Sequence, residues 1–297
     1  MEMRCEVIKI TTPRKYLLNG LWFGGDDPKK GIVFVHGLGS SAFSSLDLIT
    51  PLANDDVAVI TFNNRGHDKV SKLRKTDKRK KKGYSSVMAG EAHEVFTDCV
   101  DDIQGVVNFF LEAGIKNIFL AGHSTGCQKS VYYLAQRGKQ KLIKGAILMC
   151  PMSDYAGEVK LDKEGQLVKA EKLARKLIKE EKPHEMLPLD IWSYMHDAQR
   201  FLSLYTPDSE EEIFSYAQPD KKAKILRKVK IPTFILFAGD DEFRDRPIKK
   251  IVKWFGKNLN AKDKKLVVIE NAPHNFKSFE DKVVKETSTW LSQQKYV

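Results

Sequence analysis

The pentapeptide Gly122-His123-Ser124-Thr125-Gly126 constrains this chain more than any other feature of its sequence. It follows an apolar run, Ile118-Phe119-Leu120-Ala121, and opens a stretch with helical spacing at 124–136. A serine at such a strand-to-helix junction sits in a sharp, strained turn. The glycines on either side keep the neighbouring backbone free of Cβ clashes. The serine oxygen then projects above the sheet, and the helix behind it aims N–H groups at a developing negative charge. Gly-x-Ser-x-Gly also occurs by chance as a plain turn, but a buried strand before it and a helix after it make Ser124 the candidate nucleophile.

The rest of the chain repeats the same alternation. Short apolar runs are expected as strands at 5–10, 16–23, 31–35, 57–62, 117–121, 145–149, 233–238 and 265–269. Helical spacing lies between them at 91–112, 124–136, 247–255 and 278–293. Continuous β-rich runs separated by amphipathic helices predict an α/β fold, a mostly parallel eight-stranded sheet with helices on both faces. The first two strands carry more polar residues and are expected to pair antiparallel at an edge.

The rhythm breaks between 154 and 224, where no strand is evident. The stretch 165–181 reads as an amphipathic helix with Leu167, Ala170, Leu173, Ala174, Leu177 and Ile178 on one face. A second helix is expected at 190–204. The chain therefore reads as a core domain, 1–153 plus 225–297, with a helical cap inserted at 154–224 over the strand C-terminal ends, where open α/β sheets bind ligands.

Charge and cysteine usage narrow the class further. Of a formal net charge of +11, the segment between Lys69 and Lys82 supplies +8, nine Lys and Arg against Asp77. The excess is therefore one local segment. It reads as a solvated loop, or as a patch for an acidic lipid, RNA or an anionic substrate. No aromatic residue interleaves it, so specific nucleic-acid binding is not expected. Cys5, Cys99, Cys127 and Cys150 form no Cys-x-x-Cys pair and no His cluster adjoins them, so they are expected as buried or half-buried free thiols. No run of about 18 apolar residues is present. Met1-Glu2-Met3-Arg4-Cys5 leads straight into strand-like alternation rather than a signal peptide, which makes a cytoplasmic location the expectation.

A serine nucleophile needs a base and an orienting acid, in the chain order Ser, acid, His. Of seven histidines only His274 follows the last expected strand, on the loop before the C-terminal helix. It is the candidate base. His67 is expected to be structural, His93 to begin a helix and lie exposed, and His123 to flank the nucleophile and line the pocket without pointing the way Ser124 does. The acid is expected from Asp240-Asp241-Glu242, directly after the strand at 233–238. Asp241 is favoured, with Asp240 and Glu242 as rivals. His36-Gly37-Leu38-Gly39-Ser40 follows the strand at 31–35 and is expected to bring the Leu38 N–H to an oxyanion hole beside the Thr125 N–H. The same loop also reads as a turn capping a helix that starts near Ser40 or Ser41.

Taken in order, His36-Gly37-Leu38-Gly39, Asn64-Arg65-Gly66-His67, Gly122-His123-Ser124-Thr125-Gly126, the Asp240-Asp241 turn and Pro273-His274 resemble the α/β-hydrolase superfamily over most of the chain outside the cap. Within it, His123-Ser124-Thr125-Gly126-Cys127-Gln128, Arg200-Phe201-Leu202-Ser203-Leu204 and Ile213-Phe214-Ser215 are similar to a fungal family that includes siderophore esterases, which hydrolyse ester bonds in hydroxamate siderophores. The resemblance implies a serine hydrolase that cleaves a small-molecule carboxylic ester through an acyl-enzyme, without metal or organic cofactor. At the acid turn, the Gly-x-x-Asp form common in the superfamily falls on Glu242, whereas the Asp-Glu form selects Asp241. Other expectations are a lysophospholipase-like or thioesterase activity, with the Lys69–Lys82 segment at an anionic membrane, and a non-catalytic binding module on the same fold.

Overall fold

The computed structural model describes residues 4–294, so Met1, Glu2 and Met3 of the N-terminal reading lie outside the described residues. Six strands run parallel: β3 (Lys30–Val35), β4 (Val57–Phe62), β7 (Asn117–His123), β8 (Ile143–Met149), β9 (Thr233–Ala238) and β10 (Lys264–Ile269). Four more are antiparallel: β1 (Cys5–Thr11), β2 (Tyr16–Phe23), β5 (Ser71–Thr76) and β6 (Tyr84–Ala89). The sheet order is β10-β9-β8-β7-β3-β4-β2-β5-β6, with β1 added along β2.

The central strands are buried and mostly apolar along their length because both sheet faces are covered, and their period of two sorts them between two cores. Val33, Val35, Ile118, Leu120, Ile235 and Phe237 enter one core. Their strand neighbours Ile32, Phe34, Phe119, Ala121, Phe234 and Leu236 enter the other. On the first face, α2 (Cys99–Glu112) contributes Ile103, Val106, Val107 and Phe110, and α3 (Thr125–Ala135) contributes Cys127, Val131 and Leu134. α7 (Ile248–Asn258) adds Ile251 and Phe255 to it. On the second, α1 (Leu46–Ile49) contributes Leu48 and Ile49, and α8 (Glu280–Gln293) contributes Val283, Trp290 and Leu291.

Between β8 and β9 lie three helices and no named strand: α4 (Asp154–Leu161), α5 (Gln166–Lys179) and α6 (Ala198–Tyr205). They hold a third, separate core. Leu167, Ala170, Ala174 and Leu177 on one face of α5 pack with Trp192, Phe201, Leu204 and Tyr205, and Leu38 of the core rests against them. Trp192 is enclosed by Phe201 and Tyr205 at ring distances of 4.9 and 5.0 Å.

Several expectations need correction. All eight expected strands are present, but the sheet has ten, because part of the basic segment forms β5 and pairs with β6 in a hairpin, while Lys78, Arg79, Lys80, Lys81 and Lys82 lie in the connecting turn at 77–83. Only Leu73 and Ala89 of this hairpin are buried, so its apolar signal is faint. β6 ends the sheet at this side. The expected antiparallel pair β1–β2 is present with β1 at an edge, since among the described residues β1 pairs only with β2, while β2 also pairs with β4 and β5. The helix expected at 91–112 begins only at Cys99, after two single 3-10 turns. The helix expected at 190–204 begins at Ala198. Before it, Leu187 N–H donates to His196 O at 3.0 Å and the chain doubles back. No helix starts at Ser40 or Ser41; the Ser41 hydroxyl instead accepts the Phe43 N–H within a turn. Cys5 is exposed, whereas Cys99, Cys127 and Cys150 are buried free thiols.

Candidate active site

Ser124 follows the buried strand β7 and stands immediately before α3 with φ 54° and ψ −127°, a conformation a non-glycine residue rarely holds. Two backbone bonds fix it. Its N–H donates to Met149 O at 2.9 Å, and its carbonyl accepts the Cys127 N–H at 2.8 Å. The flanking glycines are steric necessities. A Cβ on Gly122 would stand 2.4 Å from Gly126 O, and one on Gly126 would stand 2.1 Å from Val35 O. The elbow is thus pressed directly against β3, whose continuation His36-Gly37-Leu38 passes beside the serine: a Cβ on Gly37 would lie 3.0 Å from Ser124 Cβ.

His274 sits on the loop between β10 and α8 and is buried. Its Nδ1 lies 2.7 Å from Asp241 Oδ2. The other carboxylate oxygen, Asp241 Oδ1, accepts the Phe243 N–H at 3.0 Å, so the carboxylate is held from both sides. The three acids of this turn have separate fates. Asp240 is exposed and faces Arg244. Glu242 accepts the backbone N–H of His274 at 2.9 Å and does not reach the ring. Only Asp241 contacts the imidazole. Phe243 packs edge-on against the His274 ring at 4.8 Å, and His123 Nε2 lies 3.0 Å from His274 O. His123 is thus a brace for the His274 loop, and burial lowers its pKa to about 4, which keeps it neutral.

Ser124, His274 and Leu38 line one pocket of about 310 Å³ at the C-terminal ends of the parallel strands. Met152, Leu161, Tyr194, Tyr205 and Phe243 supply its apolar wall, and Glu91, Asp154, Glu158 and Lys69 its polar wall. Asp154, Gly157, Glu158, Leu161, Tyr194 and Tyr205 of this lining come from the helical insertion, and Glu91 from the 3-10 turn at Glu91–His93. Neither the Leu38 nor the Thr125 backbone N–H has an acceptor among the described residues. Thr125 is the first residue of α3, where the helix leaves its N–H groups unpaired.

Sequence reasoning missed what lies beneath α3. Lys129, fully buried, contacts Glu94 at 2.6 Å. Glu94 also meets Arg200 at 2.9 Å, and Arg200 meets Glu211 at 2.6 Å. This buried chain of charges ties the core helix to α6 of the insertion. Burial alone would push Glu94 up, but Lys129 and Arg200 hold it below its ordinary value. His36, beside it, is pushed down to about 3, first by burial and then by Lys129. A second buried set joins Arg65 to Asp98 at 2.8 Å, Asp102 at 2.8 Å and Asp101, fastening the Asn64-Arg65-Gly66-His67 turn to α2. His67 is buried there, its Nδ1 2.7 Å from Asn64 O, a structural placement. His93 is neither exposed nor in an α-helix. It is largely covered, and its Nδ1 lies 3.0 Å from Asp197 Oδ2.

A family model described as a protein of unknown function, DUF1749, matches residues 72–294, most of the chain. The chain belongs to the DUF1749 family. Structures similar to this DUF1749 chain include the esterase Pf2001 from Pyrococcus furiosus, 16% identical, covering 99% of this chain and 91% of that one with a TM-score of 0.61. Est1E from Butyrivibrio proteoclasticus, with ferulic acid bound, is 16% identical over 97% of this chain and 98% of its own, TM-score 0.61. A soluble variant of monoglyceride lipase from Saccharomyces cerevisiae, in complex with a substrate analogue, is 15% identical over 98% of each chain, TM-score 0.65. At such identities the likeness is one of fold, and that fold is the α/β-hydrolase fold. No curated protein matches the sequence.

Proposed function

We propose that this DUF1749 protein is a serine hydrolase that cleaves a carboxylic ester through an acyl-enzyme. The observation that carries the reading is the Asp241–His274 contact at 2.7 Å, with that imidazole and the strained Ser124 lining one pocket. Asp241 holds the proton on Nδ1, so Nε2 is the basic nitrogen. Nε2 takes the Ser124 hydroxyl proton as Oγ bonds to the ester carbonyl carbon. The carbonyl oxygen becomes an oxyanion held by the Leu38 and Thr125 N–H groups, each worth ~3 kcal/mol by analogy with a measured donor. The tetrahedral carbon then expels the alcohol, which leaves with the proton from Nε2. Water, deprotonated by the same nitrogen, releases the acid.

The insertion acts as the cap in this reading. Its Tyr194, Tyr205, Leu161 and Glu158 face the substrate, so it sets specificity while the core sets chemistry. A pocket lined by both carboxylates and apolar side chains suits an ester with one polar and one apolar side. Siderophore esters, p-nitrophenyl esters of graded chain length and acyl thioesters form the panel that separates substrate classes.

A lysophospholipase-like activity is the second reading. Phe243, Leu161 and Val159 are exposed at the pocket and on α4, and the basic β5–β6 hairpin offers charge for an anionic membrane. No helix among the described residues is long and apolar enough to cross a membrane. Vesicle cosedimentation unaffected by anionic lipid or salt removes this reading.

The test of the leading reading is Ser124→Ala. Turnover of p-nitrophenyl esters falls to background while the protein stays folded; unchanged turnover refutes the assignment. A non-catalytic module has no activated serine and leaves a fluorophosphonate probe unreacted.

A further inference from the structure

Three metal-ligating side chains converge outside the residues that line the Ser124 pocket. His93 comes from the core, on the turn Glu91–His93 that follows β6. His184 and Asp197 come from the insertion, Asp197 as the N-cap of α6. Asp197 Oδ2 lies 3.0 Å from His93 Nδ1 and 2.8 Å from His184 Nδ1, and the three atoms all lie within 4.8 Å of one another. The carboxylate is buried and its direction is fixed. Oδ1 accepts the Arg200 N–H at 2.8 Å, and the Asp197 N–H donates to Ala92 O at 2.9 Å. The turn carrying His93 is held in the same way, with Gln199 Nε2 donating to Glu94 O at 3.1 Å. His184 has 61% of its side chain exposed, which opens a path from solvent. His93 and His184 also border a cavity of about 510 Å³.

We propose that His93 Nδ1, His184 Nδ1 and Asp197 Oδ2 are the protein ligands of a divalent transition cation, Zn²⁺ above all, which pins the insertion to the core. Ligand atoms about 2.0–2.1 Å from a common ion stand roughly 3 Å apart, as Asp197 Oδ2 does from each Nδ1. Two imidazoles and one carboxylate suit Zn²⁺ and its neighbours, whereas Ca²⁺ and Mg²⁺ take oxygen ligands. Three protein ligands leave a position for water. The Nδ1 lone pairs must be free, so each neutral ring carries its proton on Nε2 when the ion is bound, and binding requires no net proton release from neutral rings. Without the ion, the same Oδ2 accepts both Nδ1–H groups. The consequence reaches the pocket, because Glu91 of the same turn lines it.

The experiment reads metal content and needs no substrate, so its outcome is separate from that of the hydrolase reading. The purified full chain is stripped with chelator, dialysed against ZnCl₂ and analysed for bound metal, with Co²⁺ absorption as an independent readout. The expected result is one ion per chain and a thermal midpoint that rises with Zn²⁺. His184→Ala removes an exposed ring and leaves the fold intact, yet weakens binding on the order of a hundredfold or more, since even losing an outer-shell partner costs about 10- to 100-fold. His93→Ala does the same. A second candidate group, Cys150, Asp241 and His274, belongs to the active site, and the His274→Ala protein still takes up one ion. Absence of stoichiometric Zn²⁺, or uptake unchanged in His93→Ala and His184→Ala, overturns the proposal.

Discussion

The carboxylate of Asp241 meets the imidazole of His274 at 2.7 Å through Nδ1, and the ring's other nitrogen has no partner among the described residues. Asp240 and Glu242, one residue to either side, do not touch the ring. Asp241→Asn is therefore expected to lower kcat by ~10⁴-fold, as in a protease triad whose acid was changed to its amide. Asp240→Asn is expected to change kcat only a few-fold. Equal losses from the two substitutions in p-nitrophenyl acetate hydrolysis contradict the assignment.

Gly126 carries no room for a methyl group. A Cβ there would press on Val35 O at 2.1 Å, with His36 O at 2.9 Å. Gly126→Ala is expected to destabilise the protein by about 3 kcal/mol, at the upper end of ordinary overpacking, and to abolish turnover because the elbow must shift. Gly256, inside α7, has open space around a would-be Cβ and no left-handed φ. Gly256→Ala is expected to stabilise by about 0.5–1 kcal/mol. Urea denaturation of both variants measures the contrast.

The buried charges beneath α3 predict strong non-additivity. Arg200→Met leaves Glu94 and Glu211 in the interior with their shared cation gone, at an expected cost of about 3–5 kcal/mol. Pairing Lys129→Met with Glu94→Gln removes both charges of a 2.6 Å contact. This double variant is expected to lose less than the sum of its two single losses. Additive losses in a denaturation series would mean that the two groups do not interact.

The pH dependence of stability divides by group. His36 and His123 are held neutral, with pKa values lowered to about 3 and about 4, while the unfolded chain protonates its histidines near 6.5. The unfolded state binds more protons in that interval, so both histidines lower stability as pH falls from about 6.5 towards 4. Glu212 acts in the opposite direction. Burial pushes its carboxyl up to about 7, so the folded state keeps a proton that the unfolded chain releases, and its contribution is lost as pH rises from about 4.5 to 7. Glu212→Gln is expected to steepen the loss of stability on acidification by roughly 1.4 kcal/mol per pH unit between pH 5 and 6.5. Parallel pH profiles for the variant and the parent contradict this.

The elements that could be read from the sequence were those whose reasons are local. β3, β4, β7 and β9 are mostly apolar runs because two cores claim their alternate residues, and the elbow glycines announce a turn with no room for side chains. β5 and β6 were hidden because an edge hairpin buries so little, and its lysines mask the period of two. The start of α6 carried a local signal that the apolar pattern overrode: Asp197 caps it by accepting the Arg200 N–H, while Trp192 and the residues around it serve the insertion's core without helix. The partnerships of Lys129, Glu94 and Arg200, and of His93 with Asp197, join residues distant in sequence. A lysine and an arginine on helices read locally as solvent-facing, and nothing local reveals their burial.

The account rests on an activated Ser124, and a fluorophosphonate probe with peptide mapping tests that directly. The predicted result is a single adduct on Ser124, abolished by Ser124→Ala and slowed severely by His274→Ala. A folded protein that stays unlabelled, or one labelled equally well without His274, contradicts it.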